Sequence, residues 1–383
     1  MDFSFSESQQ RWYDATLAFA REELAGALVA ADRDGYGFWR EGLRRCARFG
    51  IAGLPVAAED GGRGEDLPTT VAAMEALGYG CEDSGLIFAL NAELWTVTLP
   101  IARFGTEEQK RRYLPGLCDG SILGANGASE AEAGSDIFAM QARAERRGNE
   151  WILNGRKTWI TAGPVADLYL CFASTDPTRG ILGISTFLIP REAPGFRVVR
   201  EIPKMGMKGV PMGELAFEDC RLPADALLGR EGRGATIFNA AMELERGAIL
   251  SASLGTMRRQ LERCIDRART RKQSGRAIGQ FQSVSNRLAE MAVRLEASRL
   301  LVYRFADLHA RGEDASTAAS MAKLFVSESF HQNSLDAVRL FGAAGYIEET
   351  GLERELRDSV GGLIYSGTND IQRNLIAHGM RLG

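Results

Sequence analysis

The sequence predicts an α+β fold in three consecutive parts: a helical region over 1–120, a middle antiparallel β region over 121–228, and a helical bundle over 229–383. Two patterns predict it. In the outer parts apolar residues recur at spacings of three and four, the period of an amphipathic helix. The middle part instead holds short runs rich in β-formers, most of them separated by Gly, Pro, Asn or Asp. A third observation argues against a doubly wound dinucleotide fold. The glycine-rich stretch "GREGRG" (229–234) follows no long apolar strand and lacks the phosphate-loop spacing, so it reads as a connector.

Each element has its own signal. Ser6 and Gln9 are spaced for a capping box, and Trp12, Ala15, Phe19, Ala20 and Leu24 continue as one apolar stripe. "PVAAEDGGRG" (55–64) breaks the pattern with a turn. "GTEEQKRRYLPGL" (105–117) predicts a short charged helix that ends at Pro115. In the middle part "EWILNG", "LYLCFAST", "GISTFLIP", "FRVVREI" and "GELAFEDC" read as strands. Beyond 231, Val284, Leu288, Met291, Leu295, Val302 and Phe305 form a helical seam with a gap near Ser298.

Bulk properties exclude several function classes. With 45% hydrophobic and 25% charged residues and a formal net charge of -4, the chain reads as an ordinary globular protein and not as a nucleic-acid binder. The basic run "RTRKQSGR" (269–276) is short enough to be a solvated face or a small phosphate site. Cys46, Cys81, Cys118, Cys171, Cys220 and Cys264 are scattered with no CxxC, which fits neither a metal site nor a disulfide framework. Reduced thiols in the cytoplasm are the simplest expectation. The start "MDFSFSESQQ" is unlike a signal or transit peptide, and no apolar run approaches the ~18–20 residues of a membrane span.

Two segments carry candidate ligand chemistry. "NGASEAEAGSD" (126–136) offers small residues that let backbone approach a flat ligand, with hydroxyls at Ser129 and Ser135. "NGRKTWITAG" (154–163) sets Trp159 between Thr158 and Thr161, a pattern suited to an aromatic ring by stacking and hydrogen bonding; a tryptophan in a β region is otherwise core.

Taken together, "GTEEQKRRYLPGL", "SEAEAGSD", "GRKTWIT", "KMGMKGVPMGELAFEDCRLP", "RTRKQSGRAIGQFQ", "AVRLFGAAGY" and "YSGTNDIQR" resemble the acyl-CoA dehydrogenase family in order and approximate spacing, over nearly the whole chain. The resemblance implies a C-terminal four-helix bundle, FAD between the β region and the bundle, and a homotetramer or homodimer. By position it implies that Asn126, Ala128, Ser129 and Ser135 approach the flavin or substrate, and that Trp159, Ile160 and Thr161 flank the flavin ring. Arg271, Gln273 and Gln282 would reach the FAD of a neighbouring subunit, as would Arg339, Leu340, Gly342 and Ala343 of "RLFGA". Thr368 and Asp370 would hold its adenosine side. Ala131, Ser274, Arg339 and Ala343 depart from the common pattern.

Such a dehydrogenase needs a carboxylate to remove a thioester α-proton while the β-hydrogen leaves with its electron pair. The family's usual glutamate, just before the Gly-Thr turn, is Ser366 here. Its alternative position, in "AMELERGAIL" (241–250), is Glu245. Phe238, Ala241, Met242, Ala248, Ile249 and Ala252 stand at helical steps from Glu245, so the carboxylate projects from an apolar face, where burial raises a pKa. Glu243 points the other way. Ser366, through its backbone N–H, and Gly367 are expected at the substrate carbonyl, with Arg246 beside the base. The bland reading makes Glu245 the structural partner of an arginine.

The substrate is then an acyl-CoA or an acyl or aminoacyl group, such as prolyl, on a carrier protein; the serine turn with "ELER" is similar to the carrier-protein branch. An electron-transfer flavoprotein or O₂ would take the electrons. The competing classes are a flavin oxidase or monooxygenase on the same fold, and a silent flavin-binding interaction protein.

Overall fold

The computed structural model describes residues 4–25 and 40–382. Helix α1 (Glu7–Glu23) opens on the expected capping box, with Ser6 N–H donating to Gln9 Oε1 at 2.9 Å and Gln9 N–H to Ser6 Oγ at 3.3 Å. Its buried face differs from the expected stripe. Tyr13, Thr16, Ala20 and Leu24 face inward, while Ala15 faces solvent. The Tyr13 ring packs with Ala72 and Ala76 of α3 (Leu67–Gly80), so a large side chain takes the contact that Ala15 is too short to fill.

After α2 (Arg40–Phe49) and α3, α4 (Ser84–Glu93) runs through one π-helical turn, Leu94–Thr98, into α5 (Leu99–Phe104). This continuous Ser84–Phe104 stretch is 21 residues long and apolar enough to span a membrane by length and composition, contrary to the sequence expectation. It is instead a core element, mostly buried within the fold. Helix α6 (Glu107–Asp119) does not stop at Pro115. Leu117 and Cys118 beyond the proline are buried, and that burial outweighs the one backbone bond the proline cannot make; the helix ends at Gly120, whose φ is 77°.

The middle region is a sheet of β1 (Gly124–Gly127), β2 (Arg143–Arg147), β3 (Glu150–Thr161), β4 (Leu168–Ser174), β5 (Ile184–Pro190), β6 (Phe196–Glu201), β7 (Met212–Pro223) and β8 (Leu227–Leu228). Its order is β6-β7-β3-β2-β4-β5-β8, with β1 beside β4. Most pairs are antiparallel as expected, but the sheet is mixed. β1 runs parallel to β4, and β2 meets β4 in parallel at Arg143 and Ser174. The chain leaves β1 and returns to β4 only after β2 and β3, and such a crossover makes neighbours parallel. β4 is buried along its whole length, which is why it reads as a continuous apolar run.

The bundle is α7 (Gly234–Ala248), α8 (Ser251–Thr270), α9 (Gln282–Ala310) and α10 (Ser316–Phe341), followed by α11 (Leu352–Gly361) and α12 (Asn369–Gly379). The apparent gap in the α9 seam is no gap, because Ser298 is fully buried between Leu295 and Val302. A small hairpin, β9 (Lys272–Gln273) and β10 (Arg276–Ala277), joins α8 to α9. Its turn residues Ser274 and Gly275 have φ of 50° and 80°, as a tight hairpin requires. "GREGRG" is a connector, with the Gly232 N–H donating to Ser185 Oγ at 2.9 Å.

Candidate active site around Glu245 and Ser366

Glu245 lies on α7, which packs against the π-helical turn, β5 and α10 and so stands where sheet and bundle meet. Gly247 permits the close approach to α9: a Cβ there would sit 2.1 Å from the Phe305 ring. Ala241, Met242, Ala248, Ile249 and Ala252 are buried around the carboxylate, and Glu245 itself is 7% exposed. Burial pushes its carboxyl up to about 7 against the opposing pulls of the Ser366 hydroxyl, Arg246 and Lys323. Glu243, two residues earlier, is half-buried and faces His309 Nδ1 at 3.4 Å.

The two family positions for the base meet in space. Ser366 Oγ donates to Glu245 Oε1 at 3.0 Å. Ser366 and Gly367 have φ of 58° and 83°, two successive left-handed residues that turn the chain sharply into α12. Several bonds hold the turn. Gln372 Nε2 donates to the Ser366 and Gly367 carbonyls at 3.2 and 2.9 Å, and Arg246 Nε to the Ser366 carbonyl at 3.4 Å. Asn369 N–H closes it onto the Leu363 carbonyl at 3.1 Å. The Ser366 hydroxyl therefore touches the acid directly, whereas sequence reasoning gave it only a backbone role.

On the sheet side, Asn126 lies on β1 opposite Leu170, and its Oδ1 is buried without a hydrogen-bond partner. Ala128 is buried and its carbonyl accepts from Lys157 Nζ at 3.1 Å, while the Ser129 carbonyl accepts from Thr158 N–H at 3.0 Å. Trp159 is not core. It is 50% exposed, with φ 59°, at the irregularity where β3 shifts register on β7. Ile160 beside it is buried and Thr161 half-buried. An exposed indole in a left-handed conformation is costly, and its uncovered face is open to stacking. Ser135 sits exposed in the loop after β1.

The remaining expected residues are not brought to Glu245. Arg271, Gln273 and Gln282 lie exposed at the far end of α8, and its 20 residues separate that end from the α7 junction by about 30 Å. Arg339, Gly342 and Ala343 are exposed at the same end, with Leu340 buried in a cluster with Cys264 and Met291. Thr368 caps α12, accepting from Ile371 N–H at 3.4 Å, and Asp370 is exposed beside Arg373 at 3.3 Å.

Sequence reasoning missed Lys323. It is fully buried on α10, and its Nζ donates to Asn369 Oδ1 at 2.8 Å. A lysine inside the stripe Ala319, Ala322 and Val326 was a visible signal.

Comparison with known proteins decides the family. The acyl-CoA dehydrogenase N-terminal domain matches residues 6–121, the middle domain 125–220 and the C-terminal domain 232–381. The chain belongs to the acyl-CoA dehydrogenase family. It is 40% identical to an L-prolyl-[peptidyl-carrier protein] dehydrogenase of a Serratia species, covering 100% of this chain and 99% of that protein. A protein of the same name from Pseudomonas fluorescens is 38% identical, with 100% of both chains covered. Among solved structures, PigA with FAD and proline superposes with a TM-score of 0.98 at 40% identity over 100% of both chains. This acyl-CoA dehydrogenase family member is an FAD-dependent oxidoreductase. The residues present fit that cofactor: the orphaned Asn126 Oδ1 needs an N–H donor, which a flavin ring carries, and Trp159 offers an uncovered face.

Proposed function

We propose that Glu245 is the base of an α,β-dehydrogenation and that the substrate is a prolyl group held as a thioester on a peptidyl carrier protein. The observation that carries the reading is the buried Glu245 carboxyl, displaced to about 7 and hydrogen-bonded to Ser366. A group with that pKa is ionised often enough to accept a proton near neutral pH, and basic enough to remove one. The full-length likeness to two prolyl-carrier-protein dehydrogenases supports the substrate class.

In this reading FAD, when bound, supplies the oxidation by accepting the β-hydrogen with its electron pair. Asn126, Ala128, Ser129, Trp159, Ile160 and Thr161 hold its ring. Arg271, Gln273, Gln282 and the 339–343 segment serve the FAD of a second copy, Thr368 and Asp370 lie toward its adenosine, and the assembly is a homotetramer or homodimer. Glu245 takes the α-proton. No described residue accepts from the Ser366 N–H, which leaves that donor for the thioester carbonyl as negative charge develops there. Ser135, Gly367 and Arg246 line the substrate. The three parts divide near residues 120 and 228. The six buried, unpaired cysteines suit a cytoplasmic setting.

The electron acceptor is O₂ or an electron-transfer flavoprotein. The solved Prolyl Acyl Carrier Protein Oxidase AnaB, 43% identical with a TM-score of 0.97, favours O₂. The test is anaerobic mixing of the flavin-loaded protein with prolyl-carrier protein, acyl-carrier proteins and a panel of acyl-CoAs, followed by admission of air. Flavin bleaching with prolyl-carrier protein alone is expected. Bleaching by acyl-CoA esters at equal or greater rates would move the substrate to CoA, and bleaching by none would remove the dehydrogenase reading.

A further inference from the structure

Lys323 has no place in the reaction as derived so far, yet burying an ammonium group is costly unless its surroundings compensate. It is fully buried on α10, and the side-chain acceptor it reaches is Asn369 Oδ1, at 2.8 Å. Asn369 is a junction. Its Oδ1 also accepts from Ser327 Oγ at 3.1 Å, its Nδ2 donates to Glu328 Oε1 at 3.4 Å, and its N–H closes the 363–369 turn. That turn contains Ser366, whose hydroxyl holds Glu245.

We infer that Lys323 is a positioning residue for the catalytic base. It anchors the Ser366–Gly367 turn through Asn369 and so holds the Ser366 hydroxyl against the Glu245 carboxylate.

The geometry favours this over a merely structural lysine. Among the described residues Lys323 makes no direct ion pair with Glu245, so its charge is not consumed in a closed salt bridge that would tie up the base. Burial pushes the Lys323 ammonium down to about 7, the Glu245 charge pulling the other way, and Lys323 in turn favours the Glu245 carboxylate. The other charged or titratable groups around the pair are Arg246 on α7, Glu328 on α10 and Tyr365 in the turn. Of these, Arg246 shares the sign of Lys323, but it is half-buried at the edge of the site, whereas Lys323 is fully enclosed.

The inference rests on Glu245 being the base, and the test separates the two. Flavin reduction by prolyl-carrier protein is followed anaerobically from pH 5.5 to 9.5 in the wild type, Lys323→Met, Asn369→Ala and Glu245→Gln. Without the Lys323 charge the carboxylate is harder to form, so the acid limb moves to higher pH. Lys323→Met cuts the tether as well, so its rate falls by about tenfold at pH 9, and a displacement of about one unit lowers it by roughly a further fivefold at pH 7. Asn369→Ala keeps the charge but cuts the tether, so its rate falls by about tenfold even at pH 9, with a smaller upward displacement of the acid limb than in Lys323→Met. Isotope-edited infrared titration of the Glu245 carboxyl, assigned by its loss in Glu245→Gln, reads the same displacement without turnover. Wild-type acid limbs and rates in both variants would overturn the inference. If Lys323→Met does not fold, a wild-type profile in Asn369→Ala overturns it alone. A Glu245→Gln protein that still reduces its flavin would instead remove the base reading itself.

Discussion

Two fully buried lysines stand near buried glutamates in this chain, and the two neighbourhoods are built differently. In the sheet, Lys157 Nζ lies 2.8 Å from Glu130 Oε1 and donates to the Ala128 carbonyl as well. The Glu130 carboxylate also accepts the Gln141 and Ala142 N–H groups at 2.6 and 3.1 Å. Burial alone would push Glu130 up, but Lys157 and the two amides outweigh it, and the carboxyl titrates below the usual range. In the bundle, Glu245 has one hydroxyl, and its lysine points to an asparagine. There burial wins, and the carboxyl is displaced to about 7. The contrast separates two uses of a buried acid. A closed pair is locked in one charge state and holds structure; an open one can exchange a proton near neutral pH.

The contrast breaks most sharply at Glu245. Glu245→Gln should fold and bind FAD, but flavin reduction by substrate should fall by ~10²–10⁴-fold, the usual cost of removing a general base. Stopped-flow absorbance of the flavin measures this. A variant that reduces at the wild-type rate would make Glu245 no more than a second Glu130.

The mirror experiment is Glu130→Gln, which should leave chemistry and damage the fold. Removing one member of a buried pair strands the Lys157 charge and costs on the order of 3–5 kcal/mol. Urea unfolding of the apo-protein should show the midpoint falling, while the pH dependence of flavin reduction in the remaining folded, loaded protein stays as in the wild type. A shifted acid limb with unchanged stability would reverse the assignment of the two pairs.

Why Glu245 was legible in the sequence and its partners were not follows from what each depends on. Glu245 stood out because helical periodicity alone puts it on an apolar face, and the α7 neighbours are buried as the spacing required. The strands and the capping box were legible for the same reason, being set by residues close in sequence. Ser366 contacting Glu245 across 121 positions, or Lys323 reaching Asn369 across 46, depends on how helices pack. The misreadings share that cause. Pro115 signals a helix end locally, but buried Leu117 and Cys118 carry α6 onward, and the parallel β1–β4 pairing depends on a crossover that no local pattern encodes.

The smallest expected effect lies at Ser366 and tests how finely the open site is tuned. Its hydroxyl hydrogen-bonds the ionised form of Glu245, and a bond to the charged form lowers a carboxyl pKa. Ser366→Ala deletes that bond and keeps the backbone N–H that faces the substrate carbonyl. The left-handed turn is equally strained for either side chain, so the fold should tolerate the change. The sign is then fixed. Without the hydroxyl the Glu245 pKa rises further above its ordinary value, less carboxylate is present at pH 7, and the acid limb of flavin reduction moves up by up to about one unit. Above pH 9, where the base is ionised in both proteins, the rates should agree within about twofold. A rate lost equally at every pH would mean that the hydroxyl positions substrate and does not tune the base. An unchanged profile would mean that Arg246 and Lys323 alone hold Glu245 in reach of neutrality.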